Sequence, residues 1–186
     1  AITQWNDLLN RVEVSGGTAD DKVLFYTSLY RIFLSPVNTT SWDKKFMATD
    51  GSIQQANDFI YYSSWSMWDS YRTKFPLITL LEPEKMKDMC KSLSRLYLYG
   101  KKDWATPYES APTVRTEHTI TILLDAYQKG IRDIDLGLAY KGMKEEVDRL
   151  KTTRPDQALE TCIDLWSMSR IAEVERNAGD ARIYGE

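Results

Sequence analysis

Leu136-Gly137-Leu138-Ala139-Tyr140-Lys141-Gly142-Met143-Lys144-Glu145-Glu146-Val147-Asp148-Arg149-Leu150 sets the fold class of this chain. Its apolar residues, Leu136, Ala139, Tyr140, Met143, Val147 and Leu150, recur every three or four positions and so line one face of an α-helix. The same period returns on both sides. Ile120, Leu123, Leu124 and Tyr127 form a stripe just before it, and Leu159, Cys162, Ile163 and Trp166 form one just after. Further back stand Met86, Met89, Cys90, Leu93 and Tyr97, and before them Tyr26, Leu29, Tyr30 and Phe33. No comparable alternating runs occur, so the chain reads as all-α.

Helix-start chemistry stands where the stripes begin. Thr18 is placed to cap a helix with Asp21 three residues on, after the Gly16-Gly17 turn, and Pro83 suits a first helical turn between Glu82 and Glu84. Gly130 and Asp133 separate two later helices, Thr152 to Asp156 opens the next, and Asn177-Ala178-Gly179-Asp180 breaks before a short final piece. About seven helices in one domain over residues 1–186 follow, with short links apart from two long irregular segments. These run from Ser35 to Tyr62 and from Gly100 to Thr116 and are rich in aromatic and acidic residues. Such loops commonly carry function, because a packed helix face cannot supply a site's polar groups.

Composition narrows the ligand. With 24 Lys and Arg against 27 Asp and Glu, the formal charge of −3 gives no electrostatic reason for a nucleic acid or an anionic membrane as partner. A neutral or polar ligand fits better. No apolar run is long enough to span a bilayer, and the first residues lack the basic and apolar regions of a secretion signal. Cys90 and Cys162 lie far apart, and His118 is the single histidine, so neither a C-x-x-C pair nor a multi-histidine metal site is expected.

Trp65-Ser66-Met67-Trp68-Asp69-Ser70-Tyr71-Arg72 reads as one helix. At helical spacing Trp65, Trp68 and Arg72 share a stripe and Asp69 and Arg72 are neighbours, which offers a flat apolar plate with a charged pair at its rim. Sugar rings are held by that combination, an aromatic face for their C–H surface and charged groups for their hydroxyls. A core stripe of tryptophans with an incidental ion pair is the competing reading.

Taken in order, the motifs resemble the catalytic domain of glycoside hydrolase family 92, calcium-dependent exo-acting α-mannosidases found mostly in bacteria. The resemblance is carried by Trp5-Asn6 through Gly16-Gly17-Thr18, Phe25 to Tyr30, Asp50-Gly51-Ser52-Ile53-Gln54-Gln55-Ala56, Trp68-Asp69-Ser70-Tyr71-Arg72, and Leu81-Glu82-Pro83-Glu84. It continues with His118, Leu124 to Ile131, and Leu159-Glu160 through Asp164-Leu165-Trp166. Departures accompany it. Ser41-Trp42-Asp43-Lys44-Lys45-Phe46 stands where the family has D-V-D-G-R-Y, Gln54 replaces a loop histidine, and residues 104–117 lack the W-L-P and G-N-x-T elements. A divergent subgroup is implied.

The resemblance implies the first part of an (α/α)₆ toroid, an array of helical hairpins. The family's general acid, its base carboxylates and its calcium-binding pair lie in E-G-N, G-N-D-D and G-N-E-P stretches, none of which occurs in this chain. No residue here is therefore assigned a catalytic or metal-binding role, and calcium belongs to the parent family only. The chain is expected to be a hydrolase fragment, inactive alone, that contributes mannoside contacts from Asp43, Trp68, Asp69, Arg72 and Glu109. The rest of a parent enzyme, or a second copy, is its expected partner, and a periplasmic or secreted location follows by resemblance. Inverting hydrolysis needs two carboxyl groups roughly 6.5 to 9.5 Å apart, which Asp69 and Glu109 would have to supply if the chain acted by itself. The alternative from another class is a helical interaction module without hydrolase activity.

Overall fold

The computed structural model describes residues 1–104, 106–108 and 115–186. Glu109 lies outside the described residues. Eight helices occur among them: α1 (Ile2–Leu9), α2 (Ala19–Ile32), α3 (Lys74–Leu81), α4 (Pro83–Tyr99), α5 (Thr119–Gln128), α6 (Leu136–Val147), α7 (Pro155–Val174) and α8 (Ala178–Gly185). The chain is mostly helical, as the stripes require.

Consecutive helices pair as hairpins, and helices two apart also touch: α3 packs on α5 and α5 on α7, while α4 packs on α6. Odd and even helices thus form two layers, the arrangement of an (α/α) array. The main core lies between them, built from Phe75, Ile78, Met86, Leu93, Leu123, Met143, Met168 and their neighbours. Each stripe faces this core because only one side of an amphipathic helix can leave water. The α1–α2 hairpin lies at the edge of this core, with Leu29 its one buried residue; Ile32 and Phe33 pack against the core, and Arg11 pairs with Glu82 at 3.2 Å.

The helix-start readings hold. Thr18 and Asp21 form a reciprocal capping box on α2, Pro83 and Pro155 occupy first turns, and Asn177 caps α8 by accepting from the Asp180 amide at 3.1 Å. The short final piece is itself a helix.

The segment from Ser35 to Tyr62 contains strands that the absence of long alternating runs concealed. Here β1 (Val37–Asn38) pairs antiparallel with β4 (Tyr62–Ser63), and β2 (Lys45–Met47) pairs with β3 (Ile53–Gln55). With two or three residues each, these strands are too short to show a period. Asp50-Gly51 turns the second hairpin, with Gly51 at φ 87°, where a side chain would be strained and would meet the Tyr108 ring at 3.0 Å. A small second core of Phe46, Ala48, Ala56, Phe59 and Tyr61 covers this hairpin, and Phe46 stacks on Tyr61 at 3.9 Å.

The stretch Trp65–Arg72 is not a helix. It is irregular through Met67 and then makes a series of turns up to Thr73. The physical reason is burial: Trp65 and Met67 are both in the core, and two residues apart on a helix would point to nearly opposite sides. The Met67 N–H donates across to the Arg115 carbonyl at 2.9 Å instead of up a helix. Pro76 adds a second reason, since it tolerates only a first helical turn, and α3 accordingly begins two residues before it.

Candidate functional site

A cleft of about 690 Å³ opens where α4 and α6 end and α5 and α7 begin. Its walls come from the chain after α4 (Lys101, Asp103), the entry to α5 (Glu117, His118), α6 (Glu146) and the first turns of α7 (Glu160, Asp164). Glu160 and Asp164 are four apart on α7 and so share one helix face.

The turn after Met67 meets this wall. Trp68 Nε1 donates to Glu160 at 2.9 Å, and the Arg115 guanidinium lies over the indole at 4.4 Å. Arg115 itself sits in the left-handed region at φ 55°, pinned by its amide to the Asp103 carbonyl, and its Nη2 pairs with Glu117 at 3.2 Å. Trp68 is 37% exposed, whereas Trp65 is 1% exposed. The two tryptophans therefore do not share a stripe. Trp68 is the surface aromatic, with one face taken by a guanidinium.

Tyr71 stacks on His118 at 4.2 Å, and Arg72 lies over the Tyr71 ring at 4.9 Å. No ion pair joins Asp69 to Arg72 among the described residues; the Asp69 carboxylate is exposed and accepts only a long 3.5 Å bond from Ser66. The expected charged pair is thus corrected: losing the helix removes the i,i+3 geometry that would have brought the two together. Trp68 and the Tyr71–Arg72 stack remain beside the cleft, linked through Glu160 and His118.

Asp43 stands apart from that group. Its carboxylate accepts from Ser41 Oγ at 2.6 Å and pairs with Lys45 at 2.8 Å, all within its own turn. The Lys45 ammonium and the Ser41 hydroxyl hold its pKa down at about 2, below the ordinary 3.8. A lowered carboxylate pKa favours this turn above the ordinary carboxylate range, and the effect is lost as pH falls through about 2. Lys45→Met is expected to bring Asp43's titration back toward 3.8, read from its side-chain carbon shift by NMR.

Three residues of the cleft carry contacts that spacing alone did not assign: Glu160 as partner of Trp68, Tyr71 as the plate on His118, and Asp164 as partner of the His118 ring at 3.1 Å. The i,i+4 relation of Glu160 and Asp164 was the signal available. Among the described residues no three His, Cys, Asp or Glu side chains converge as a metal site.

The layered helical hairpins and the aromatic-edged polar cleft define an (α/α) domain. The model of the glycosyl hydrolase family 92 catalytic domain matches residues 1–184, and the chain belongs to that family. It is similar to the GH92 family glycosyl hydrolase CcMan5, at 30% identity and TM-score 0.85, covering 98% of this chain and 26% of that one. The family GH92 inverting mannosidase BT2199 from Bacteroides thetaiotaomicron VPI-5482 is similar at 25% identity and TM-score 0.81, covering 98% of this chain and 29% of that one. The fold is shared with the α-mannosidase BT3965 from Bacteroides thetaiotaomicron, solved with mannoimidazole, at 21% identity and TM-score 0.79, covering 98% and 27%. No curated protein matches the chain. It spans between 26% and 29% of the length of these solved structures. No helix among the described residues is long and apolar enough to cross a membrane.

Proposed function

We propose that these residues form part of an α-mannosidase catalytic domain and grip a mannoside glycan through Trp68, Asp69 and Arg72, with Asp43 as a more distant contact and Glu109 as a further one. The observation that carries this reading is the half-exposed Trp68 indole, oriented by Glu160 and Arg115 beside a polar cleft. A fixed aromatic plate next to hydroxyl-binding groups is what a sugar ring needs. The resemblance places the family's acid, base and calcium ligands in other stretches, so the 186 residues bind without cleaving, and calcium enters only with the rest of a parent enzyme. Export to the periplasm or outside the cell is part of the same reading.

Methyl α-mannoside titrated into the chain is expected to shift the NMR signals of Trp68, Asp69 and Arg72, and Trp68→Ala to weaken binding roughly tenfold. Absence of any shift at these residues, or turnover of a mannoside by the chain alone, would overturn the proposal. A second reading, a helical interaction module, is favoured by the α2 face, where Val23 and Leu24 are 66% and 68% exposed. Tight protein binding with no sugar response would select it, and self-association through that face is expected under either reading.

A further inference from the structure

His118 is 2% exposed and lines the cleft. Its Nδ1 stands 3.1 Å from the Asp164 carboxylate, which also accepts from Thr121 Oγ1 at 3.0 Å, and Thr121 is paired with Ser167 at 2.9 Å. A carboxylate facing Nδ1 places a proton on that nitrogen, which makes Nε2 of the neutral ring the acceptor. That acceptor has no protein partner. The adjacent Glu117, also in the cleft wall, has a buried Oε2 in the same condition, while its other oxygen pairs with Arg115, whose own Nε is a buried donor without a partner. Buried polar atoms are almost always satisfied; Glu117 has the spare Arg115 donor beside it, whereas the His118 Nε2 has none and calls for a donor from outside the chain.

We infer that His118 Nε2 is a hydroxyl-recognition group that takes an O–H donor of a neutral polyol, directly or through one ordered water. This rests on the reading that the cleft holds a glycan, and it names a group that reads one of the sugar's hydroxyls. An anion is disfavoured because the six carboxylates lining the cleft outnumber its four basic side chains, Lys101, Lys102, Arg149 and Lys151. A metal cation is disfavoured because no third ligand converges among the described residues. Tyr71, stacked on the imidazole, and Asp164, bonded to its other edge, hold the ring so that only Nε2 is free to bind.

His118 is the single histidine, so its imidazole nitrogens give isolated signals in a ¹⁵N-labelled chain. On titration with methyl α-mannoside the Nε2 resonance is expected to move upfield, together with the Trp68 indole N–H. The matching variant is His118→Asn: its amide reproduces the Nδ1–H donated to Asp164, lacks any atom at Nε2, and suits the left-handed φ of 66° at this position. It is expected to keep its melting temperature near that of the parent chain and to bind the mannoside roughly tenfold more weakly. A shift at Trp68 with a silent imidazole, or His118→Asn binding as well as the parent, would overturn this inference and leave the glycan reading standing. Silence at both residues would overturn the two together. Should the variant fail to fold, the imidazole signal of the parent chain decides.

Discussion

Trp65→Ala is expected to lower the unfolding free energy by about 4 kcal/mol, a large part of the roughly 5 to 15 kcal/mol that holds a domain together. Trp65 is among the largest fully buried side chains, packed on Phe75 with ring centroids 6.4 Å apart. Its Nε1 has no hydrogen-bond partner, so the loss is one of packing and of the cavity left behind. Trp65→Phe should accordingly cost less than half as much, because it keeps an aromatic ring and removes an unsatisfied donor. Trp68→Ala, three residues on, is expected to cost about 1 to 2 kcal/mol, since the indole is partly exposed and loses the bond to Glu160 and the Arg115 contact rather than a core site. Urea denaturation of the three variants checks this. Equal losses at Trp65 and Trp68 would restore the single helical stripe that the structure replaces with a turn.

Gly142→Val is expected to cost about 3 kcal/mol, by the opposite error of overfilling. Gly142 lies on α6 where it crosses α4, and a Cβ added there would stand 2.8 Å from Tyr97 Cβ and 2.9 Å from Cδ1. Tyr97 cannot swing aside cheaply: the closest atom is its Cβ, tied to the α4 backbone, and its hydroxyl donates to Glu146 at 2.5 Å. Even Gly142→Ala, which gains about 1 kcal/mol of helix propensity, should be net destabilising, because separating two packed helices outweighs that gain. The checks are the denaturation midpoint of each variant and, in the alanine variant, the solvent exchange of α6 amides. A stabilised alanine variant would mean that α4 and α6 pack less closely than the structure has them.

Helix positions were legible from the sequence because burial of one face imposes a 3.6-residue period on any amphipathic helix. Capping and first-turn residues at Thr18, Pro83 and Pro155 then set the starts. The strands of residues 37–63 escaped because two or three residues carry no period, although Asp50-Gly51 is a hairpin signal in its own right. The stretch from Trp65 to Arg72 misled because Trp65, Trp68 and Arg72 fit a helix by spacing, whereas Trp65 and Met67 are the pair the core takes. Pro76 was the available warning.

By itself, the sequence determined the helical class, most helix starts and the order of motifs that marks the family. Tertiary structure alone decided which tryptophan is core and which is surface, that Asp69 and Arg72 do not pair, and that His118, Asp164, Glu117 and Glu160 share one cleft. The reason is range. Periods and caps are written within a few residues of one another, but the groups of this cleft are brought together from four separate segments by the packing of two helix layers, and no local pattern encodes that distance.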